Sequence, residues 1–128
     1  MMSLYHFHVT QIGRSKGHSA VAAAAYRSGE KIYDDYYGET QDYTKKGGVV
    51  KTEILLPDFT PDRFQDRSTL WNELESVEKH PKSQLAYSFD MALQNELTDE
   101  ENIALGERFV REEMVARGMS CDVTFHLP

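Results

Sequence analysis

Apolar and polar residues alternate along three segments of the chain, a spacing typical of β-strands with one buried face. These segments are residues 4–10, residues 83–93 and residues 119–127. In the second segment one side is predicted to face the core, and it carries Leu85, Tyr87, Phe89, Met91 and Leu93. A fourth strand is predicted from Val49 to Leu56, because β-branched residues are frequent there and Pro57 closes the segment.

Three further segments carry apolar residues at helical spacing, together with signals for a helix start or stop. They cover residues 19–30, the stretch from Pro61 to about Lys79, and the stretch from Asp99 to Arg117. The first is rich in alanine, the strongest helix former, and Ser19 is a natural N-cap. Thr60 and Pro61 resemble a cap and a first-turn proline for the second helix. A capping box at Thr98 begins the third helix, and Gly118 ends it.

The order of these elements predicts the class of the fold. Strands and helices are interspersed, so we expect an α+β domain with a mainly antiparallel sheet of about four to five strands and helices packed on it. Residues 32–44 are rich in Tyr and Asp, which indicates a loop or an irregular hairpin. A chain of 128 residues fits a single domain, residues 1–128, and can bury a core without disulfides.

Composition narrows the class of protein. The apolar stretches are far shorter than the roughly 18 residues that span a bilayer, and the N-terminus lacks the apolar core of a signal peptide. These features predict a cytoplasmic protein without a membrane segment. The single cysteine, Cys121, falls in the alternating segment near the C-terminus, where we interpret it as a buried core thiol rather than a nucleophile.

The distribution of charge is more informative than its total. The formal net charge is −7, which by itself disfavours a polyanionic partner. Residues 1–52 nevertheless contain seven Lys or Arg against five Asp or Glu, so they carry +2 and leave −9 for residues 53–128. A chain with this asymmetry can present a cationic face to a nucleic acid while the remainder keeps it soluble.

Tyr26 is the most prominent candidate for chemistry. It follows the alanine run, whose small side chains let a large partner approach, and cationic residues lie nearby in sequence. They are Arg14, Lys16, His18 and Arg27. A tyrosine in such surroundings either stacks on a base or attacks a phosphorus atom. The alternative is a tyrosine that merely packs at a helix end.

The histidines and Asp90 complete the set of candidates. His6 and His8 are spaced to lie on one face of a strand, where they either bind a metal or remain half-exposed strand residues. His126 lies at the end of the last predicted strand. Asp90 lies on the more polar face of the strand in residues 83–93, where it either supports a site or is simply solvated.

Several separated motifs together resemble one known family. They are YHFHV at residues 5–9, the segment from Arg14 to Ser28 that contains the alanine run and Tyr26, DYTKKGGV at residues 42–49, EILLP at residues 53–57, the LWN segment at residues 70–78, and NIAL at residues 102–105. In this order they resemble the N-terminal part of MobA/MobL-type plasmid mobilisation relaxases over essentially the whole chain.

The resemblance implies an activity and a role for Tyr26. Relaxases of this type nick one DNA strand at the origin of transfer, and Tyr26 matches the tyrosine that attacks the scissile phosphodiester and keeps the 5′-phosphate as a covalent intermediate. The implied partners are single-stranded plasmid DNA and other proteins of the transfer machinery. Arg14, Lys16, His18, Arg27, Lys45 and Lys46 are the expected DNA contacts. The alternative is a catalytically incomplete fragment that only binds single-stranded DNA.

The resemblance also implies a divalent metal, Mg²⁺ or Mn²⁺. Family members hold it with three histidines, and His126 is similar in context to the first of them. The following pair, in an N-P-H-x-H stretch, does not occur in this sequence, so the domain and its metal site are expected to be incomplete at the C-terminus. Asp90 is expected to orient a metal-bound histidine. We expect Tyr26 and His126 to share an open cleft.

Overall fold

The computed structural model describes residues 6–78, 80, 84–92 and 96–126, although the side chains of residues 6–10, 16 and 84 are not described. Its strands are β1 (His6–Gly13), β2 (Lys31–Asp34), β3 (Glu39–Asp42), β4 (Val49–Leu55), β5 (Gln84–Ala92) and β6 (Cys121–His126). Its α-helices are α1 (Ala20–Ser28), α2 (Arg67–Val77) and α3 (Asp99–Glu113). The α+β class is therefore confirmed. No helix in this described part is long and apolar enough to cross a membrane.

The strands pair differently from the single sheet that the sequence predicted. Among the described residues they form three antiparallel ladders, β1 with β5, β2 with β3, and β4 with β6. The Tyr- and Asp-rich segment is a regular hairpin, because β2 and β3 pair from Lys31 opposite Asp42 to Asp34 opposite Glu39. Strand order along a sheet depends on long-range pairing, which a local alternation of residues does not encode.

Local sequence signals account well for the helix ends. The Ser19 hydroxyl accepts a hydrogen bond from the main-chain N–H of Ala22, and Gly29 ends α1 in the left-handed conformation, with φ of 71°. The capping box between Thr98 and Glu101 is present at the start of α3. The prediction for α2 was wrong at its start: the cap is Asp66, whose carboxylate accepts from Thr69 N–H, and a 3-10 turn occupies Asp62–Gln65.

Two hydrophobic clusters hold the fold together. The first joins α1, β2 and α2 through Val21, Ala25, Ile32, Tyr43 and Trp71. The second places α3 against β4, β5 and β6 through Leu55, Val110, Met114, Phe89, Met91, Cys121 and Val123. Cys121 is part of this second cluster, and burial raises the pKa of its thiol to about 11. The core-thiol interpretation of Cys121 is thus supported.

The side of β5 that was predicted to face the core is only partly buried. Leu85 is buried in β5 as expected, but Tyr87 on the same face is exposed, and Ser88 on the opposite face is buried. The alanine run also serves packing more than access: Ala20, Ala24 and Ala25 are buried within the protein, so only part of the helix surface is left for a partner.

Candidate active site

Tyr26 lies in the last turn of α1, and its side chain is 55% exposed. Two residues hold its ring. The ring of Tyr43 meets it edge to face, with centroids 5.3 Å apart and planes at 88°. The ammonium group of Lys46 lies 4.0 Å from the ring centroid and also donates a 2.8 Å hydrogen bond to the main-chain oxygen of Tyr26. The phenol is therefore positioned by its neighbours while it remains accessible.

A cavity of about 790 Å³ collects residues that are distant in sequence around this tyrosine. Tyr26 and Arg27 reach it from α1, Asp90 from β5, and His126 from the end of β6, while Lys46 reaches it from the segment that follows β3. We refer to it as the main cleft. The expectation that Tyr26 and His126 line one open cleft is met, and His126 is exposed there.

The charges in the main cleft are accessible. Arg27 and Asp90 form an ion pair, with the guanidinium Nη1 3.3 Å from the carboxylate Oδ1, and both side chains are substantially exposed. A pair of this kind is worth at most about 1 kcal/mol, because water screens it. The guanidinium can therefore exchange Asp90 for a phosphate at little cost. Together with Lys46 it supplies two cations near the phenol.

A second cleft of about 460 Å³ adjoins the first, because both are lined by Tyr26, Arg27 and Ser88. Most of its other lining residues come from the turn before α1, from α1 itself, and from the β2–β3 hairpin with the residue that follows it. They include His18, Ala22, Ala23, Tyr37, Glu39, Gln41 and Tyr43. We refer to it as the hairpin cleft. Tyr26 thus lies where a groove from the hairpin meets a groove from β6.

The described residues do not form a complete metal site. Among them there is no group of three or more His, Cys, Asp or Glu side chains that could hold a metal ion. His126 and Asp90 line the same cleft and offer one nitrogen and one carboxylate, fewer donors than metal centres of these types use. The hypothesis of His6 and His8 as ligands concerns side chains outside the described set.

Comparison with known proteins gives this arrangement a family. The model of the MobA/MobL family matches residues 18–128, which include Tyr26 and His126. The chain belongs to the MobA/MobL family. It is 38% identical over 127 residues to the mobilization protein MobL of Acidithiobacillus ferridurans, and 36% identical over 135 residues to the conjugal transfer protein TraA of Rhizobium radiobacter. The matches cover 99% and 98% of this chain but 33% and 12% of those proteins.

A solved structure has the same fold. A chain from a study described as "Molecular Basis of Vancomycin Resistance Transfer in Staphylococcus aureus" superposes with a TM-score of 0.91 and is 35% identical. The match covers 98% of this chain and 63% of that one. The chain therefore spans a third or less of the first two curated relatives and about two thirds of the solved chain.

Among the cations proposed for DNA, the structure places Arg14 unexpectedly. Its guanidinium is buried, donates to the main-chain carbonyls of Glu75 at 3.0 Å and of Glu78, and stacks over the Tyr36 ring at 4.0 Å from the centroid. This placement argues against a direct phosphate contact, because the group is already paired away from water. Arg14 instead ties the turn after β1 to the C-terminal end of α2.

The other proposed contacts lie at different places. Arg27 and Lys46 line the main cleft, and His18 lines the hairpin cleft. Lys45 is exposed next to Lys46. The side chain of Lys16 lies outside the described set. The roles of these residues toward DNA stay predictions.

Sequence reasoning did not identify the residues that fix the site in place. Glu75 of α2 is buried and accepts hydrogen bonds from the main-chain N–H groups of Ala20, at 2.7 Å, and Val21, at 3.3 Å. It thereby anchors the first turn of α1, the positive end of the helix that bears Tyr26. Burial, and then the neighbouring Asp34 carboxylate, raise the pKa of Glu75. Glu75 lies in the LWN segment that carries part of the family resemblance, but a polar residue of an amphipathic helix does not by itself indicate this anchoring role.

Sequence reasoning also did not identify the role of Arg67, the first residue of α2. It is 7% exposed and donates to both carboxylate oxygens of Asp122, at 2.7 and 2.8 Å, and to Glu30 at 2.7 Å. The indole N–H of Trp71 donates to the same Asp122 carboxylate at 2.8 Å. These bonds fasten β6, the strand that ends in His126, to α2. Burial alone would lower the pKa of Arg67, but the Asp122 and Glu30 carboxylates raise it.

Proposed function

We propose that this chain is the strand-nicking core of a mobilisation relaxase, with Tyr26 as the nucleophile. The observation that carries the proposal is the accessible Tyr26 side chain in the same cleft as His126. The family and the names of its relatives, which are mobilisation and conjugal transfer proteins, support it. The substrate is single-stranded plasmid DNA at an origin of transfer, and the proposed setting is the cytoplasm, with other transfer proteins as partners.

The chemistry needs only the phenol and the DNA as reactants. The Tyr26 oxygen attacks phosphorus and releases its proton, the P–O3′ bond breaks, and the departing oxygen takes up a proton to become a free 3′-hydroxyl. The products are a 5′-phosphotyrosine and a 3′ end, so the energy of the phosphodiester is conserved for rejoining. A free phenol titrates near pH 10, so the reaction at neutral pH depends on cations that stabilise negative charge at the phosphate. Arg27 and Lys46 line the same cleft as Tyr26, which supports them as the cations for that task.

We further propose His126 as one ligand of a divalent metal, with Asp90 supporting the site. Mg²⁺ or Mn²⁺ there would neutralise charge on the phosphate. Because the described residues do not include a full set of ligands, we assign no step of the reaction to the metal. Asp90 pairs with Arg27 in this structure, so its second proposed effect is to hold that cation beside Tyr26.

A covalent-capture experiment tests the proposed function. The protein is incubated with single-stranded oligonucleotides of randomised sequence, with Mg²⁺ or Mn²⁺, and adducts that survive denaturation are counted and sequenced. We expect adducts from the wild type, none from Tyr26→Phe, and undiminished adducts from the matched control Tyr33→Phe. Tyr33 is also exposed but lines neither cleft. Adducts that persist in Tyr26→Phe would refute the assignment.

The second candidate function is a single-stranded DNA-binding module without nicking activity. The two cations of the main cleft, Arg27 and Lys46, support it, because they suit a DNA phosphate whether or not the strand is cut. In that case no variant forms an adduct, but binding is retained and weakens with salt. Removing a lysine that contacts a phosphate, such as Lys46, should then reduce the slope of log affinity against log salt by about one unit.

A further inference from the structure

The hairpin cleft has the dimensions and surfaces of a site for a flat ring. Ala22 and Ala23 of α1 form its floor, and their small methyl groups leave room for a ring above the helix. Two aromatic rings lie at its border. Tyr37 comes from the turn between β2 and β3, and Tyr43 is the residue that follows β3. Aromatic side chains of this kind are the usual stacking platforms for bases of single-stranded nucleic acids.

Both aromatic rings at the border are held in place by contacts. The Tyr37 hydroxyl donates to the main-chain oxygen of His18 at 3.4 Å, and its ring meets that of Tyr36 edge to face with centroids 4.9 Å apart. Tyr43 is held against Tyr26 by the edge-to-face contact described above. Little side-chain entropy is therefore left to lose when a ring stacks there.

Two polar groups of β3 face the same cleft. The Gln41 amide donates to the Oε1 atom of Glu39 at 3.1 Å, which fixes the carboxylate and leaves its Oε2 atom available as an acceptor. A third group comes from β5: the Ser88 side chain is 7% exposed, and its hydroxyl has no hydrogen-bond partner within the part of the chain that the structure describes. A buried hydroxyl without a partner costs stability, so a ligand that reaches it is favoured.

We propose that the hairpin cleft binds the base of a nucleotide next to the scissile phosphate, and that Glu39 selects a base with an exocyclic amino group over thymine. This inference rests on the proposed function for its location, since Tyr26 lines both clefts. The base lies over Ala22 and Ala23 and stacks on the ring of Tyr37 or Tyr43, while the amino group of guanine, cytosine or adenine donates to the Glu39 carboxylate.

The selectivity follows from hydrogen-bond chemistry. A carboxylate only accepts, and amino groups of bases are donors that it recognises. Thymine presents carbonyl oxygens beside its single N–H, so at least one acceptor of the base faces the negative charge. A specific base contact of this kind discriminates by roughly tenfold or more. We therefore expect one position of the DNA, within a nucleotide or two of the nick, at which thymine is disfavoured.

The test compares base preferences in the wild type and in Glu39→Gln. To separate it from nicking, both carry Tyr26→Phe and are equilibrated with the randomised single-stranded library, and bound DNA is sequenced. The wild-type background should deplete thymine about tenfold at one position, and Glu39→Gln should reduce this depletion to less than about twofold. The matched control is Glu112→Gln, because Glu112 is an exposed carboxylate of α3 that lines neither cleft.

The outcomes distinguish the two proposals. Loss of the thymine depletion in Glu39→Gln, but not in Glu112→Gln, supports the base site even if the wild type forms no covalent adduct, which would refute only the nicking proposal. Identical preferences in the wild type and in Glu39→Gln overturn the base site, whatever the adduct experiment shows. The same is true if Glu112→Gln changes the preference equally. Thermal unfolding serves as the control for folding. If both variants unfold with the same midpoint temperature as the wild type, the fold is retained.

Discussion

The buried Arg67–Asp122 pair should contribute far more to stability than a surface pair of the same chemistry. Replacing Arg67 with Ala removes three charge-assisted hydrogen bonds. Asp122, whose side chain is 9% exposed, then keeps the Trp71 indole as its one hydrogen-bond partner among the described residues. The matched control is Arg63→Ala. Arg63 also binds a carboxylate through two nitrogens, that of Glu73, but the two side chains are 57% and 45% exposed.

The magnitudes follow from burial. Breaking a buried ion pair from one side costs about 3–5 kcal/mol, because the remaining charge is stranded in the interior. An exposed pair is worth about 0.2–1 kcal/mol. Since a domain is stable by about 5–15 kcal/mol in total, Arg67→Ala should remove a large fraction of the stability and Arg63→Ala very little of it. The double variant Arg67→Met/Asp122→Asn should recover much of the loss, because it removes the stranded charge.

Urea unfolding measures these differences directly. The protein has a single tryptophan, Trp71, which contacts Asp122, so its fluorescence reports on this region. The midpoint should fall strongly for Arg67→Ala, with an unchanged slope, and only slightly for Arg63→Ala. Equal losses in the two single variants would refute the reasoning. If Arg67→Ala does not fold, the double variant provides the test. A double variant that also remains unfolded would refute the reasoning.

Three other side chains give measurable expectations. The raised pKa of Glu75 means that its ionisation costs stability, so the wild type should lose stability relative to Glu75→Gln as the pH rises from 4.5 to neutrality; a pH-independent difference in urea unfolding would contradict this. With its pKa near 11, the Cys121 thiol should react with Ellman's reagent roughly a hundredfold more slowly than in urea-unfolded protein at neutral pH, and equal rates would argue against burial. Asp66→Ala should cost about 1 kcal/mol through the lost cap. Hydrogen bonds from Thr69 lower the pKa of Asp66, so that cost should disappear as the pH falls below 3.8, which unfolding at low pH would check.

The accessibility of Tyr26 depends on contacts far from it in sequence. Its helix is anchored at the start by Glu75 and its ring is held by Tyr43 and Lys46. None of these three residues belongs to α1, the helix that carries Tyr26. Variants that remove this support, such as Glu75→Ala, are therefore expected to move or loosen the phenol without removing it, and the effect would be seen as a lower adduct yield with unchanged DNA binding.

Much of the local structure could be predicted from the sequence. Ser19 and the alanine run predicted the start and the body of α1, and the Thr98 capping box predicted the start of α3. Such signals depend on hydrogen bonds and backbone preferences within a few residues, which the sequence displays directly. The ordered motifs, read together, also predicted the family. Tyr26 followed from them as the leading candidate.

The sequence by itself thus determined the types of most elements, several of their ends, the family and the candidate nucleophile. Only the tertiary structure decided which charged residues stay in water. Arg14 and Arg67 resemble surface cations in sequence, but they are buried because α2 and β6 bring carbonyls and a carboxylate to them across more than 50 positions of the chain. Burial and electrostatic pairing depend on these long-range contacts, so no local pattern distinguishes such residues from Arg27 or Lys46, which the fold leaves beside Tyr26.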